Sequence, residues 1–222
     1  MKPTFFVTLL IATSIALGSC GKKGPEAVPA NDSTAQAAAS TAPATASPTS
    51  GKYKIKSAVV TSSTEMPSLK EHTTETLYFD NYGAREARET VGDVSGIKIH
   101  TLAFTKDGYL YTVNYDQKTC TRMKGMAVSA DMDYSHLTDH EIQEYHIQQE
   151  GTEQVAGKTC DVYSMNSSMI KGRVSAWNGI PMHTQTTVSG MQMNSIVTAI
   201  DENAAIPESK FEVPEGFTIK DL

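Results

Sequence analysis

Two dipeptides, Asn178-Gly179 and Ser189-Gly190, constrain the fold of this chain more than any other feature. Each separates runs of alternating apolar and polar residues, and each has the length and chemistry of a two-residue hairpin loop. Such loops fix which residues face each other, because strand side chains alternate with period two. Across the first loop, Trp177 is expected to face Ile180, and Ser175 to face Met182. Across the second, Val188 faces Met191, Thr186 faces Met193 and Met182 faces Val197. One face then carries Trp177, Ile180, Met182, Val188, Met191, Met193, Val197 and Ala199. The other carries His183, Gln185, Thr187, Gln192, Asn194 and Thr198, so the sheet has one oily side.

The same alternation marks strands near Tyr53 to Thr61, Thr76 to Asp80, Ala84 to Thr90, Ile97 to Phe104, Tyr109 to Tyr115 and Lys158 to Met165. Turns at Asn81-Tyr82-Gly83 and Lys106-Asp107-Gly108 make consecutive strands neighbours. Helix is scarce. Thr138-Asp139-His140-Glu141 is a capping box, and a helix is expected from there to about Gln149, with Ile142 and Tyr145 as its short apolar stripe. The expected fold is mainly β with a minor α part: a long antiparallel meander with one short helix on its oily face, which gives either a closed core or a cavity plugged by that helix.

Composition divides the chain into three parts. Residues 25–50 are almost entirely Ala, Pro, Ser and Thr, with no aromatic residue. Such a segment cannot bury enough apolar surface to fold, and its scattered prolines would each cost about 3 kcal/mol inside a helix. Residues 52–222 change to a mixture of apolar and polar residues long enough for a single domain with a sizeable core. The first 19 residues hold a single charge, Lys2. Their removal leaves 18 of the 19 basic residues against 25 acidic ones, a net charge of −7, which argues against a nucleic-acid partner.

The apolar run Phe5 to Leu17 behind Lys2 reads as a secretory signal peptide, since it falls short of the roughly 20 residues needed to cross a bilayer. Its end, Leu17-Gly18-Ser19-Cys20, resembles the lipobox of bacterial lipoproteins. That resemblance implies signal-peptide removal at residues 1–19, a diacylglyceryl group on the Cys20 sulfur, and residues 20–51 as a tether to membrane lipid. The alternative, ordinary cleavage near Ser19, would leave a free thiol in an oxidising compartment. Gly21 stands where the inner-membrane retention signal would place Asp, so the resemblance implies an outer-membrane anchor; the expected orientation is toward the periplasm, with the cell exterior as the alternative. Cys120 and Cys160 remain as an even pair. In an exported domain such a pair most often forms a disulfide, here worth roughly 4 kcal/mol in the chain-entropy model; two separately buried thiols are the alternative.

No Gly-x-Ser-x-Gly elbow, phosphate loop or dinucleotide fingerprint is present, and an enzyme is not expected. No cofactor and no metal site are expected either. Met123, Met126, Met132, His136, His140 and His146 could be drawn as a soft-metal site, but their spacing is irregular. Asp80, Glu86 and Glu89, near Arg85 and Arg88, read as a solvated sheet face with cross-strand ion pairs.

The meander, the helix inserted midway and the ending Ile206-Pro207-Glu208-Ser209-Lys210-Phe211-Glu212-Val213-Pro214-Glu215-Gly216-Phe217 together resemble the LolA/LolB type of envelope lipoprotein carriers and their periplasmic relatives. Tyr78-Phe79-Asp80-Asn81-Tyr82-Gly83 and Val155 to Tyr163 add to the likeness. The resemblance implies a half-open barrel with the short helix packed on its concave face, and an apolar concave side that holds a lipid or the acyl chains of lipoproteins, with Trp177, Ile180, Met182, Met191, Met193 and Val197 as lining residues. Two other functions compete with lipid binding. One is a structural or sensory interaction domain with a filled core, and the other is a Met/His soft-metal-binding lipoprotein.

Overall fold

Five two-residue loops, all with both central residues at positive φ, set the register of this domain: Ser95-Gly96, Asp107-Gly108, Ala156-Gly157, Asn178-Gly179 and Ser189-Gly190. Their twist matches that of the flanking strands, which is why this turn geometry dominates tight hairpins. A computed structural model describes residues 51–128, 132–168 and 170–222. The expected signal peptide, Cys20, Gly21 and residues 22–50 of the expected tether lie outside the described residues.

The first meander comprises β1 (Ala58–Met66), β2 (Glu71–Asp80), β3 (Arg85–Val94), β4 (Ile97–Lys106), β5 (Tyr109–Asn114) and β6 (Thr119–Lys124). Helix α1 (Asp139–Tyr145) follows, and then a second meander of β7 (Gln148–Val155), β8 (Lys158–Asn166), β9 (Ile170–Trp177), β10 (Ile180–Val188) and β11 (Met191–Glu202). β12 (Thr218–Asp221) ends the chain. The two meanders join through antiparallel pairing of β1 with β11, and β12 runs parallel to β6. The resulting 12-stranded sheet has β12 at one end and β7 at the other, and it does not close. This is the mainly β half-open barrel expected, with one α-helix among the described residues.

Trp177 pairs with Ile180, Thr186 with Met193 and Val188 with Met191, as the loop lengths require. Two bulges then alter the alternation. In β10 the ladder to β9 steps from Pro181 to His183, so Met182 has no β9 partner and Ser175 faces His183 instead. In β11 the ladder to β1 skips Thr198, which leaves Ala199 exposed and turns Ile200 toward the core in its place.

The capping box of α1 is complete: Thr138 Oγ1 accepts from the Glu141 amide at 3.2 Å, and the Glu141 carboxylate accepts from the Thr138 amide at 2.8 Å. The helix is shorter than expected because His146 adopts a left-handed conformation (φ 50°, ψ 51°), after which Gln148 and Gln149 begin β7. No residue of α1 is buried; its packing comes through Tyr145 and the flanking Leu137 and Ile147 against Met165 and Val174.

Cys120 and Cys160 are free thiols, so the bridge expected between them is not formed. Cys120 on β6 packs with Leu102, Phe104 and Val113, whereas Cys160 on β8 packs with Val155, Ile180 and Met182. β5, β4, β3, β2, β1, β11, β10 and β9 separate their strands in the sheet. Burial pushes both thiols above the usual cysteine range. An even cysteine count carries no information on whether two strands lie close enough to bridge.

Candidate functional site

Strand alternation lets one sheet bury side chains on two faces, and β2 shows it directly. Leu77 and Phe79 enter one apolar cluster, while Tyr78 between them packs against another. The first cluster unites Ala58 and Val60 of β1, Leu77 and Phe79 of β2, Val155 of β7, Cys160 of β8, Ile180 and Met182 of β10, and Val197 of β11. Four of the six residues expected on the oily face meet here: Ile180, Met182 and Val197 are buried and Trp177 packs at the border. Met191 and Met193 stand apart, half-buried toward the other end of β11.

Residues 51–57 cover this cluster as a strap, where the sequence suggested the opening of a strand. Tyr53 is 1% exposed and its ring lies 4.2 Å from that of Phe79. Ile55 packs beside it, while Lys54 and Lys56 point to solvent. Backbone hydrogen bonds seat the strap: the Tyr53 amide donates to the Tyr82 carbonyl at 3.1 Å, the Lys54 amide to the Asn178 carbonyl at 3.0 Å, and the Tyr82 amide to the Lys56 carbonyl at 2.9 Å. Lys52 Nζ lies 3.0 Å from Glu86 Oε1. Glu86 is buried rather than solvated, so this carboxylate departs from the expected exposed face.

The second cluster joins Ala87, Leu102, Phe104, Val113 and Cys120 with Phe211, and the C-terminal arm supplies Ile206, Val213 and Phe217 to it. A polar group borders it. Glu89 accepts from Tyr78 Oη at 2.9 Å and from Lys210 Nζ at 2.6 Å, and its other oxygen lies 2.8 Å from His100 Nε2. Burial alone would raise the Glu89 pKa, but the hydrogen bonds from Lys210, His100 and Tyr78 outweigh it and hold this carboxyl at about 2. Burial also raises the Tyr78 pKa above the usual phenol range. A cavity of about 250 Å³ lined by Tyr115, Lys210, Glu212 and Pro214 adjoins the group, and another of about 480 Å³ opens beside Arg85, Lys106, Glu208 and Phe211. Both are rimmed by charge, unlike the oily interior. Pattern reading missed this group because its members lie on β2, β3, β4 and the arm, and no local motif links them.

Among the described residues, no group of three or more His, Cys, Asp or Glu side chains is gathered to hold a metal ion. His136 Nδ1 is 3.1 Å from the Asp133 carboxylate and His140 Nδ1 is 3.3 Å from that of Glu144, four residues along the helix.

No protein-family model matches the chain, and no curated protein matches it in sequence. Solved structures do resemble it. An uncharacterised conserved protein from Thermus thermophilus aligns over 76% of this chain and 92% of its own length at 7% identity, with a TM-score of 0.55. The complex of Pseudomonas aeruginosa MucA and MucB aligns over 75% of this chain and 58% of that one at 12% identity, TM-score 0.45. A domain described as outer membrane lipoprotein-sorting from Vibrio parahaemolyticus aligns over 72% and 91% at 10% identity, TM-score 0.34. The Thermus likeness shows a shared fold and assigns no role to any residue.

Proposed function

We propose that this chain is a lipid-anchored, non-enzymatic domain of the bacterial cell envelope. Its inner apolar sheet face binds an amphiphile, either a lipid or the acyl chain of a lipoprotein. The observation that carries this reading is the nature of the cover. An unclosed sheet brings apolar residues from β1, β2, β8, β10 and β11 to one surface, and part of that surface is closed by the strap around Tyr53 instead of by further strands. Cys20 and Gly21 support an anchor in the outer membrane, with the domain proposed to face the periplasm, and the Ala/Pro/Ser/Thr linker gives a reach of about 30 Å by random-coil scaling.

Native mass spectrometry of the full-length protein, extracted in mild detergent, tests this reading. The expected spectrum shows an acylated chain with a noncovalent lipid that a fluorescent fatty acid displaces. A chain without bound lipid that also takes up none of the probe overturns it. Membrane fractionation supplies the second arm: Cys20→Ser releases the protein from the outer-membrane fraction.

A second reading is favoured by a specific observation. Ile180, Met182 and Val197 are already buried by the chain's own residues, which suits an interaction domain with a filled core that binds partners at its rim. The same experiment separates the two, since a filled core predicts no lipid and no uptake.

A further inference from the structure

We propose that residues 51–57 are a displaceable plug: the strap closes over the apolar cluster and must withdraw before an amphiphile can reach it. This rests on the reading of that apolar face as the binding surface. Three observations point to it. First, the strap is a continuous insert with a built seat and is not part of the sheet. Tyr53, Ile55 and Ser57 turn inward and Lys54 and Lys56 outward, yet strand pairing begins only at Ala58. Second, the seat is shaped for it. A Cβ on Gly83 would stand 2.8 Å from Tyr53 Cδ2, and one on Gly179 would stand 2.5 Å from the Lys52 carbonyl oxygen. Both glycines also hold positive φ in the turns that flank the strap (+88° and +83°).

Third, what the strap covers is what an acyl chain would contact. Tyr53 shares its cluster with Phe79, Ile180, Met182 and Val197, and withdrawal uncovers those residues while the β1–β11 rungs from Ala58 to Glu65 stay paired; the Asn203 amide to Ser57 carbonyl bond at 2.8 Å and the Ser57 hydroxyl to Ala204 carbonyl bond at 2.9 Å mark the hinge about which the strap turns. Lys52 and Glu86 form the latch at the mouth, with side chains 20% and 10% exposed. Binding then follows population-shift arithmetic. Apparent affinity equals intrinsic affinity scaled by the fraction of molecules with the strap withdrawn, so weakening the closed strap tightens binding by the same factor.

The experiment uses the full chain and a fluorescent long-chain fatty acid. Lys52→Met removes the latch and Tyr53→Ala removes the plug, and each is expected to bind the probe roughly tenfold more tightly than wild type. Tyr53→Phe keeps the ring and is expected to stay within about twofold. Hydrogen exchange on wild type covers the event that a variant fails to fold: saturating probe should strip protection from the Tyr53 and Lys54 amides while leaving the β1–β11 ladder protected. Wild type binding the probe with unchanged strap protection, or with equal affinity in all folded variants, overturns the plug and leaves amphiphile binding standing. Absence of binding by wild type and both weakened variants overturns amphiphile binding, and the plug with it.

Discussion

The sheet is covered on its two faces by the two segments that flank it, and the covers are fastened differently. The C-terminal arm leaves β11 and returns to the sheet as β12, so it is stapled at both ends. Between those staples Phe211 is buried, Arg85 stacks over its ring at 4.1 Å and grips Glu208 at 3.0 and 2.6 Å, and Lys210 binds Glu89. Among the described residues, the N-terminal strap is continuous with the sheet through β1 alone. Its fastenings include the Tyr53–Phe79 ring contact, the Lys52–Glu86 pair and a few backbone hydrogen bonds. A segment paired into the sheet on both sides loses little freedom when it docks, whereas the strap, paired into the sheet on one side among the described residues, loses more. The arm therefore behaves as structure and the strap as a part able to open.

The contrast is tested most severely at the two anchoring rings. Phe211→Ala is expected to remove about 3–5 kcal/mol of stability, as for a large buried aromatic, read as a fall in denaturant midpoint. Tyr53→Ala should cost less, about 2 kcal/mol, because the strap can detach instead of holding a cavity open. Equal losses would erase the distinction between the covers.

Glu89→Gln sharpens it from the arm's side, with an expected loss of about 1–2 kcal/mol at neutral pH. Its pH dependence has a definite sign. Glu89 is held at about 2 in the folded chain, below the ordinary carboxyl value of 4.5, so its contribution is complete above about 4.5 and is lost as pH falls toward 2. The variant's denaturation profile should lack that acid-side slope. At Ala156, a site belonging to neither cover, φ is +48°, a conformation costing a β-carbon residue about 1 kcal/mol. Ala156→Gly should raise the midpoint by up to that amount and leave the strap's exchange unchanged. The smallest effect is expected at Arg85→Ala, below about 1 kcal/mol, because the Arg85–Glu208 pair is largely in water.

Hairpin loops and the register they impose were legible in the chain because the two-residue turn leaves few choices. Trp177 with Ile180 and Val188 with Met191 follow directly. The bulges at Met182 and Thr198 were not legible, since an extra residue in one strand is decided by what its neighbours pack against, and so Ala199 and Ile200 exchange places. β7 and β12 are hidden in the sequence for another reason. Gln148–Val155 and Thr218–Asp221 lie at the sheet's two ends and are almost wholly exposed, so they carry no oily alternation to detect. The oily face was half readable: local alternation finds Ile180, Met182 and Val197, but Tyr53 comes from more than a hundred residues away. Glu86 looked solvent-facing for the same reason, because its partner Lys52 belongs to the strap.

The seam between the meanders has a kinetic consequence. β1 meets β11 with Ala58 opposite Glu202, so the strand that begins the sheet waits for nearly the whole domain before its outer edge is paired. A chain made from its N-terminus can assemble β1 to β6 as local hairpins early, and for that interval Ala58 to Glu65 present an open strand edge. Closing the seam is a late, long-range event of high contact order, the kind that slows folding and invites pairing with the wrong chain.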